Sequence, residues 1–271
     1  MNAMNKRLKQ GHDQGLWAMA VVGALIGVLL ALWVWAPARW LAWGVAQVTQ
    51  GQVQWLHPRG TVWAGSAQLV LSGGAGSRDA QALPGRLHWT LLPHWTGLTV
   101  GWQADCCMRE AARLQLKAGI STWQVQVSDH VAQWPAALLT GLGAPWNTVQ
   151  AQGILQTQTQ ALQWRWSQGR VQVQGLAQLQ VRDLSSRLSP LKPMGSYLVE
   201  LRGTAEGTPT PSLKLSTQQG PLMLTGQGQW VGARLRFTGE ASAQAGHEAA
   251  LANLLNILGR RQGERSLLSL G

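Results

Sequence analysis

The hydrophobic pattern divides the chain into two unequal parts. From Leu16 to Ala36 apolar residues follow one another without a formal charge, a run of about twenty-one residues, which is the length a helix needs to cross a bilayer core. Beyond Gly44 the pattern changes to period two, with apolar positions separated by Gln, Thr, Ser or Arg, as in strands with one buried face. Arg170-Val171-Gln172-Val173-Gln174 shows the alternation most clearly.

This alternation predicts strands at Gln52 to Trp55, Thr61 to Trp63, Ala67 to Leu71, Arg86 to Leu91, Leu98 to Gln103, Leu114 to Leu116 and Thr122 to Val127. Next comes a meander: Leu162 to Trp166, a turn at Ser167 to Gly169, Arg170 to Gln174, and a continuation past Gly175 through Leu176, Leu179 and Val181. Tyr197 to Leu201, Leu213 to Leu215, Leu222 to Trp230 and Leu235 to Ala241 complete the set. Gly, Pro or Asp marks most of the gaps, and the Pro-rich stretches Ser189 to Pro193 and Thr208 to Pro211 read as long loops. So many short strands predict a mainly β, antiparallel domain built as a sandwich, an open barrel or a curled single sheet.

Two segments break the period. Val131 to Leu139 reads as a helix that, because it carries Pro135, is either short or begins late. Glu248 to Leu258 reads as a C-terminal helix with Leu251, Leu254, Leu255 and Leu258 on one face, Gly246 at its start and Gly259 as its stop. Glu248 and the pair Arg260 and Arg261 suit the two ends of its dipole.

Charge orients the apolar run. Lys6, Arg7 and Lys9 precede it and chiefly Arg39 follows it, so the positive-inside bias keeps the N-terminus in the cytoplasm and exports the remainder. Trp33, Trp35, Trp40 and Trp43 crowd the exit side, where amphipathic rings favour head groups. Trp33, Trp35, Pro37 and Arg39 close the segment in place of a small-residue cleavage site. The expected organisation is a cytoplasmic N-terminus over 1–15, a transmembrane helix over 16–36, a membrane-proximal segment over 37–51 and an exported β-rich domain over 52–271.

Composition sharpens this picture in two respects. Only 12% of the residues are charged, against roughly 25% in ordinary soluble domains, which points away from a cytosolic enzyme. The net charge of +11 suits anionic lipid, nucleic acid or an acidic protein. Of the three, export removes the chromosome from reach, and Arg260, Arg261 and Arg265 form only a small cluster.

Reactive chemistry finds no footing. Cys106 and Cys107 are the only cysteines and are adjacent, so they cannot make a spaced framework; a bond between neighbours is strained, a reactive or metal-binding pair has no Cys-x-x-Cys spacing or His cluster beside it, and intermolecular pairing during purification is the practical concern in an oxidising compartment, which leaves their role and redox state open. His88 and His94 would converge only across a hairpin, and His12, His57, His130 and His247 stand singly. Asp105, Glu110, Asp129, Asp183, Glu200 and Glu206 are scattered, without the pairing that acid/base catalysis requires. Phosphate-loop and nucleophile-elbow motifs are missing. The reading is therefore non-catalytic, with no catalytic, cofactor or metal residues assigned.

The C-terminal third carries a resemblance. Leu213-Lys214-Leu215-Ser216-Thr217, then Gly226-Gln227-Gly228-Gln229-Trp230-Val231-Gly232 and Arg234-Leu235-Arg236-Phe237-Thr238-Gly239-Glu240-Ala241 resemble the closing strands of the type II secretion system protein N (GspN) family. The run from Glu248 to Arg261 is similar to that family's terminal helix and basic end. Gly60-Thr61-Val62-Trp63-Ala64-Gly65-Ser66-Ala67, Leu92-Pro93-His94-Trp95 and Pro193-Met194-Gly195-Ser196-Tyr197 extend the likeness upstream. The resemblance implies an accessory or assembly subunit in the inner membrane of a Gram-negative bacterium, with its β domain in the periplasm. Its implied neighbours are the inner-membrane platform subunits, protein C above all, and the secretin. A different reading remains open at this point: a lipid- or acyl-binding groove lined by the row Val171, Val173, Leu176 and Leu179.

Overall fold

The computed structural model describes residues 2–74, 76–167, 170–204, 210–232 and 234–270, with side chains throughout except at 2–16, 18, 170 and 270. Two helices open it, α1 at Asn2–Val34 and α2 at Ala38–Val48. Eight strands follow: β1 Val53–Gly60, β2 Ala64–Ser72, β3 Ala80–Ala82, β4 Leu87–His94, β5 Gly97–Ala104, β6 Ala112–Ala118, β7 Thr122–Val127 and β8 His130–Pro135. A 3-10 helix at Ala136–Leu142 and the short α3 at Trp146–Val149 lead into the two longest strands, β9 Gln152–Ser167 and β10 Arg170–Ser185. The chain finishes with β11 Gly195–Arg202, β12 Ser212–Gln219, β13 Leu222–Val231, β14 Arg234–Ala243, α4 Glu248–Leu258, β15 Arg260–Gln262 and β16 Arg265–Leu270.

All sixteen strands belong to one open sheet. Its order is nearly sequential, β1-β2-β4-β5-β6-β7-β9-β10-β11-β12-β13-β14-β16-β15, with β3 added beside β2 and β8 beside β9. Every pairing is antiparallel. Of the three expected architectures, the single sheet is the one formed. A sandwich would need two separately bonded sheets, whereas one hydrogen-bonded path runs from β1 to β15 here.

The meander arrangement sorts the connections to two ends. The near end holds the links β1–β2, β4–β5, β6–β7, β9–β10, β11–β12 and β13–β14, as the registers Gly60↔Gly65, His94↔Gly97, Ala118↔Trp123, Arg170↔Ser167, Arg202↔Ser212 and Val231↔Arg234 require. At the opposite, far end lie the β5–β6 loop, the 3-10 helix, the loop 186–194 and α4.

Buried side chains concentrate at the far end. Leu83, Ala104, Met108, Ala112, Ala132 and Leu138 form one cluster beneath the 3-10 helix. Met194, Tyr197, Leu222, Ala241, Leu251, Leu254 and Leu255 form another under α4. The helix presents Leu251, Leu254 and Leu255 to the sheet because spacings of three and four residues fall on one helical face. Burying each leucine is worth about 1.5–3 kcal/mol by area. Tyr197 donates its hydroxyl to the Leu222 carbonyl at 3.0 Å within this core, and burial pushes its pKa up.

α2 packs Ala38 and Leu41 against Ala67, Trp55 and Trp89. α1 behaves differently. Trp17 and every side chain from Met19 to Trp35 are exposed, so the helix stands clear of the domain until Trp33 and Ala36 reach the β1–β2 link. There Trp63 donates Nε1–H to the Trp33 carbonyl at 2.8 Å, their rings meet edge to face at 4.7 Å, and the Val62 N–H bonds the Ala36 carbonyl at 2.8 Å. Among the described residues, no helix is long and apolar enough to cross a membrane; the side chains at 2–16 and 18, which include part of the apolar run, lie outside them.

Several expected elements change. Of the stretch Val131 to Leu139, the part through Pro135 is strand β8, and the helix begins late, as a 3-10 helix from Ala136. Exposed Val131 and Gln133 alternate with buried Ala132, and that period of two pairs the segment with β9 before Pro135 ends it. Thr61 to Trp63 is a connection, because Gly60 turns at φ +87° and Thr61 bonds Ala64 through both its backbone N–H and its hydroxyl. Gly259 ends α4 in extended backbone, φ −171°, so no left-handed cap operates; a Cβ there would strike the Leu267 carbonyl of β16. Residues 168–169 of the expected turn and 208–209 of the second Pro-rich stretch lie outside the described residues.

Candidate functional site

The far end contains a cleft of about 800 Å³ between the β5–β6 loop, the β7–β8 corner and β9. Its walls bring Cys106, Cys107 and Glu110 together with Asp129, His130 and Thr159. Cys106 and Cys107 are bonded to each other, their Cα atoms 3.7 Å apart across one peptide. The pairing is thus within the chain. The loop folds tightly enough, with the Cys107 and Met108 N–H groups both bonding the Ala104 carbonyl, to turn neighbouring thiols toward each other, and Cys107 packs in the core.

The polar groups around the cleft are committed to the fold. Asp129 accepts the Ala161 N–H at 2.6 Å, where β9 turns through φ +47°. His130 Nδ1 lies 2.8 Å from Thr159 Oγ1 and 3.1 Å from the Ser128 carbonyl, with its ring edge-on to Trp102. Asp105 accepts the Arg86 N–H at 3.0 Å and sits 3.1 Å from His88 Nε2. Asp105 and Asp129 thus each tie two chain segments together. Among the described residues no group of three or more His, Cys, Asp or Glu is placed to hold a metal ion.

The other residues singled out in the sequence are dispersed. His94 bonds Thr99 across the β4–β5 hairpin and does not meet His88. Exposed His57 adopts φ +49° at the β1 irregularity, and its carbonyl accepts from Arg86. Asp183 bends β10 at φ +52°, its N–H bonded to Ser196 Oγ. Glu200 accepts from Gln178 and lies 3.7 Å from Arg202. The side chain of His12, and Glu206 altogether, lie outside the described residues. Arg261 donates to the Ala252 carbonyl of α4 and to the Gly263 carbonyl, while Arg265 pairs with Glu240 at 3.1 Å, so two of the three clustered arginines serve the local fold. Sequence reading missed Arg86, whose guanidinium joins β4 to Ser66 on β2 and to His57 on β1; an arginine in an alternating strand carries no local sign of such reach.

The sheet edges offer a second kind of site. β1 is a blunted edge, with a register shift between Leu56 and Arg59 and Pro58 inside it. The other edge is more open. β15 pairs only with Arg265 to Leu267, whereas β14 pairs with Arg265 to Leu270 on the opposite side. Among the described residues, Leu268 to Leu270 therefore leave one row of backbone groups without a strand partner, as strand addition requires.

No match is found among curated proteins or among solved structures. A family model described as type II secretion system (T2SS), protein N matches residues 51–267, which span the sheet from the start of β1 into β16. The chain belongs to the type II secretion system protein N family.

Proposed function

We propose that the protein is a non-catalytic accessory or assembly subunit of the type II secretion system, anchored in the inner membrane by α1 with its sheet in the periplasm. The observation that carries this reading is the family match over nearly the whole sheet. Anchoring is supported by the apolar run from Leu16 to Ala36 and by the exposure of α1 along the side chains described in it, since nothing in the domain covers that surface. The three lysine and arginine residues before the run support a cytoplasmic N-terminus. The open edge at β16 supports strand addition by another secretion subunit, protein C foremost and the secretin next.

The acyl-groove reading draws less support. Val173, one member of its proposed lining, is buried against Val127 and Leu162 instead of facing an empty channel. Photo-reactive residues placed at exposed Ser269 and, for contrast, at His57 on the blunted edge test the docking reading in the native host. Adducts with secretion subunits at Ser269 and few at His57 are expected. Lipid adducts alone at both edges, with secretion intact after deletion of the sheet, would overturn it.

A further inference from the structure

The near end of the sheet carries the two most exposed large apolar side chains among the described residues. Trp95 at the β4–β5 tip and Ile120 at the β6–β7 tip are fully exposed, at 106% and 110%. The tips are neighbours, because Gly97 pairs with Lys117. Trp123 and Trp166, opposite each other on β7 and β9, are exposed at 60% and 39%, Val171 beside them at 52%, and Val231 at the β13–β14 tip at 54%. Side chains of this size at turns, which polar residues usually occupy, are not spent on any core.

Charge follows the same division. Exposed Arg59, Lys117, Arg202, Arg234 and Arg236 lie within two or three residues of near-end connections. Among the described residues, no acidic side chain lies in those connections or within two positions of them; Glu206, in the β11–β12 link by sequence, lies outside the described residues, and Glu200 stands three positions from that link. Asp79, Asp105, Glu110, Asp183, Glu248 and Glu264 lie toward the far end. This near end is also where α1 meets the sheet, through Trp33 on Trp63 and Pro37 bridged to Thr61. Trp35, exposed at 79%, and Trp40, at 50%, continue the aromatic surface onto the helices.

We infer that the near end of the sheet is a second bilayer contact, in which Trp95, Ile120 and Trp123 enter the interfacial layer and the flanking cations meet anionic phospholipid head groups. The inference rests on the anchoring reading, since α1 would deliver these tips to the membrane surface. Indole rings favour the head-group layer, where an apolar body and a polar N–H are both satisfied. Basic residues beside them add attraction to anionic lipid that salt screens. The sheet would then stand upright on the membrane with α4 and the cleft pointing away from it.

The test uses the full chain reconstituted into vesicles of phosphatidylethanolamine and phosphatidylglycerol. A fluorescent unnatural residue replaces either Ile120 or, at the far end, Glu264, and lipids carry a quencher near the head group. Quenching at Ile120 is expected to exceed that at Glu264 several-fold, and to fall toward the Glu264 level with Lys117→Glu, Arg234→Glu and Arg236→Glu combined or in vesicles of phosphatidylcholine alone. A Trp95→Ser variant, retaining its melting temperature, should reduce it in part. Equal quenching at both positions, with the chain still resistant to carbonate extraction, would overturn the contact and leave the anchor standing. Extraction by carbonate would overturn both.

Discussion

The two ends of the sheet spend their apolar residues in opposite ways. At the far end leucines are taken out of water: Leu83, Leu251 and Leu255 are buried to within about a hundredth of their surface, beneath the 3-10 helix and α4. At the near end Trp95 and Ile120, larger or equal in apolar area, are left in full contact with solvent. Hydrophobicity alone therefore does not locate the core of this chain. What locates it is whether a helix returns to cover the strands: α4 and the 3-10 helix do so at the far end and α2 does so over β1, β2 and β4, while no core cluster forms on Trp95 or Ile120 at the β4–β5 and β6–β7 tips. The far end carries the stability of the fold, and the near end is free to serve contact with something else.

The strongest way to break this comparison is truncation in the covered core. Leu251→Ala should destabilise the protein by about 2–5 kcal/mol, the range for a leucine emptied from a packed site. Urea unfolding checks this, and a loss under 1 kcal/mol would show that α4 rests loosely on β14 and β16. Next in size is Tyr197→Phe. Removing the hydroxyl leaves the Leu222 carbonyl short of its donor, at about 1 kcal/mol. Because burial raises the folded pKa of Tyr197 above its unfolded value of about 10, its contribution is fully present below that pH and is lost as pH rises toward the folded pKa. Alkaline unfolding should begin at higher pH in Tyr197→Phe than in the parent.

The near end should answer differently. Trp95→Ala and Ile120→Ser should each change stability by no more than about 0.5 kcal/mol, since neither side chain packs on the fold. Thermal melting in detergent checks this. A loss comparable with that of Leu251→Ala would mean that the tips are structural, and the division between the ends would fail.

How much of this was legible depends on the range of the interactions. Periodicity located α4 with the boundaries that the structure has, Glu248–Leu258, because a leucine face at spacings of three and four is a local signal. It also found most strands of the meander, whose neighbours in sequence are neighbours in space. It failed at β8, where a short apolar run reads as helix although the helix begins only after Pro135, and at the first half of β9, where Gln and Thr fill the polar face so heavily that alternation fades. The candidate site was less readable. The cleft exists because Asp129, His130 and Thr159, distant in sequence, meet the β5–β6 loop, and the Cys106–Cys107 bond depends on a turn that two adjacent letters do not encode.

The smallest expected effect separates a helix start from the core that it covers. Glu248 bonds its own N–H and that of Gly246 through its carboxylate, and these bonds, with the neighbouring His247 charge, hold its pKa below the ordinary value of about 4.3. A lowered folded pKa gives stability that is present above the unfolded value and is lost as pH falls through the folded one. Glu248→Gln should therefore leave the protein almost unchanged below that window and slightly less stable above it, because the N-terminal N–H groups of α4 favour a negative charge. The measurement is the difference in urea midpoint between variant and parent from pH 3 to pH 7. A difference that widens as pH rises through the window places the effect in the carboxylate charge. One that stays constant with pH would place it in packing, and would make the start of α4 part of the covered core.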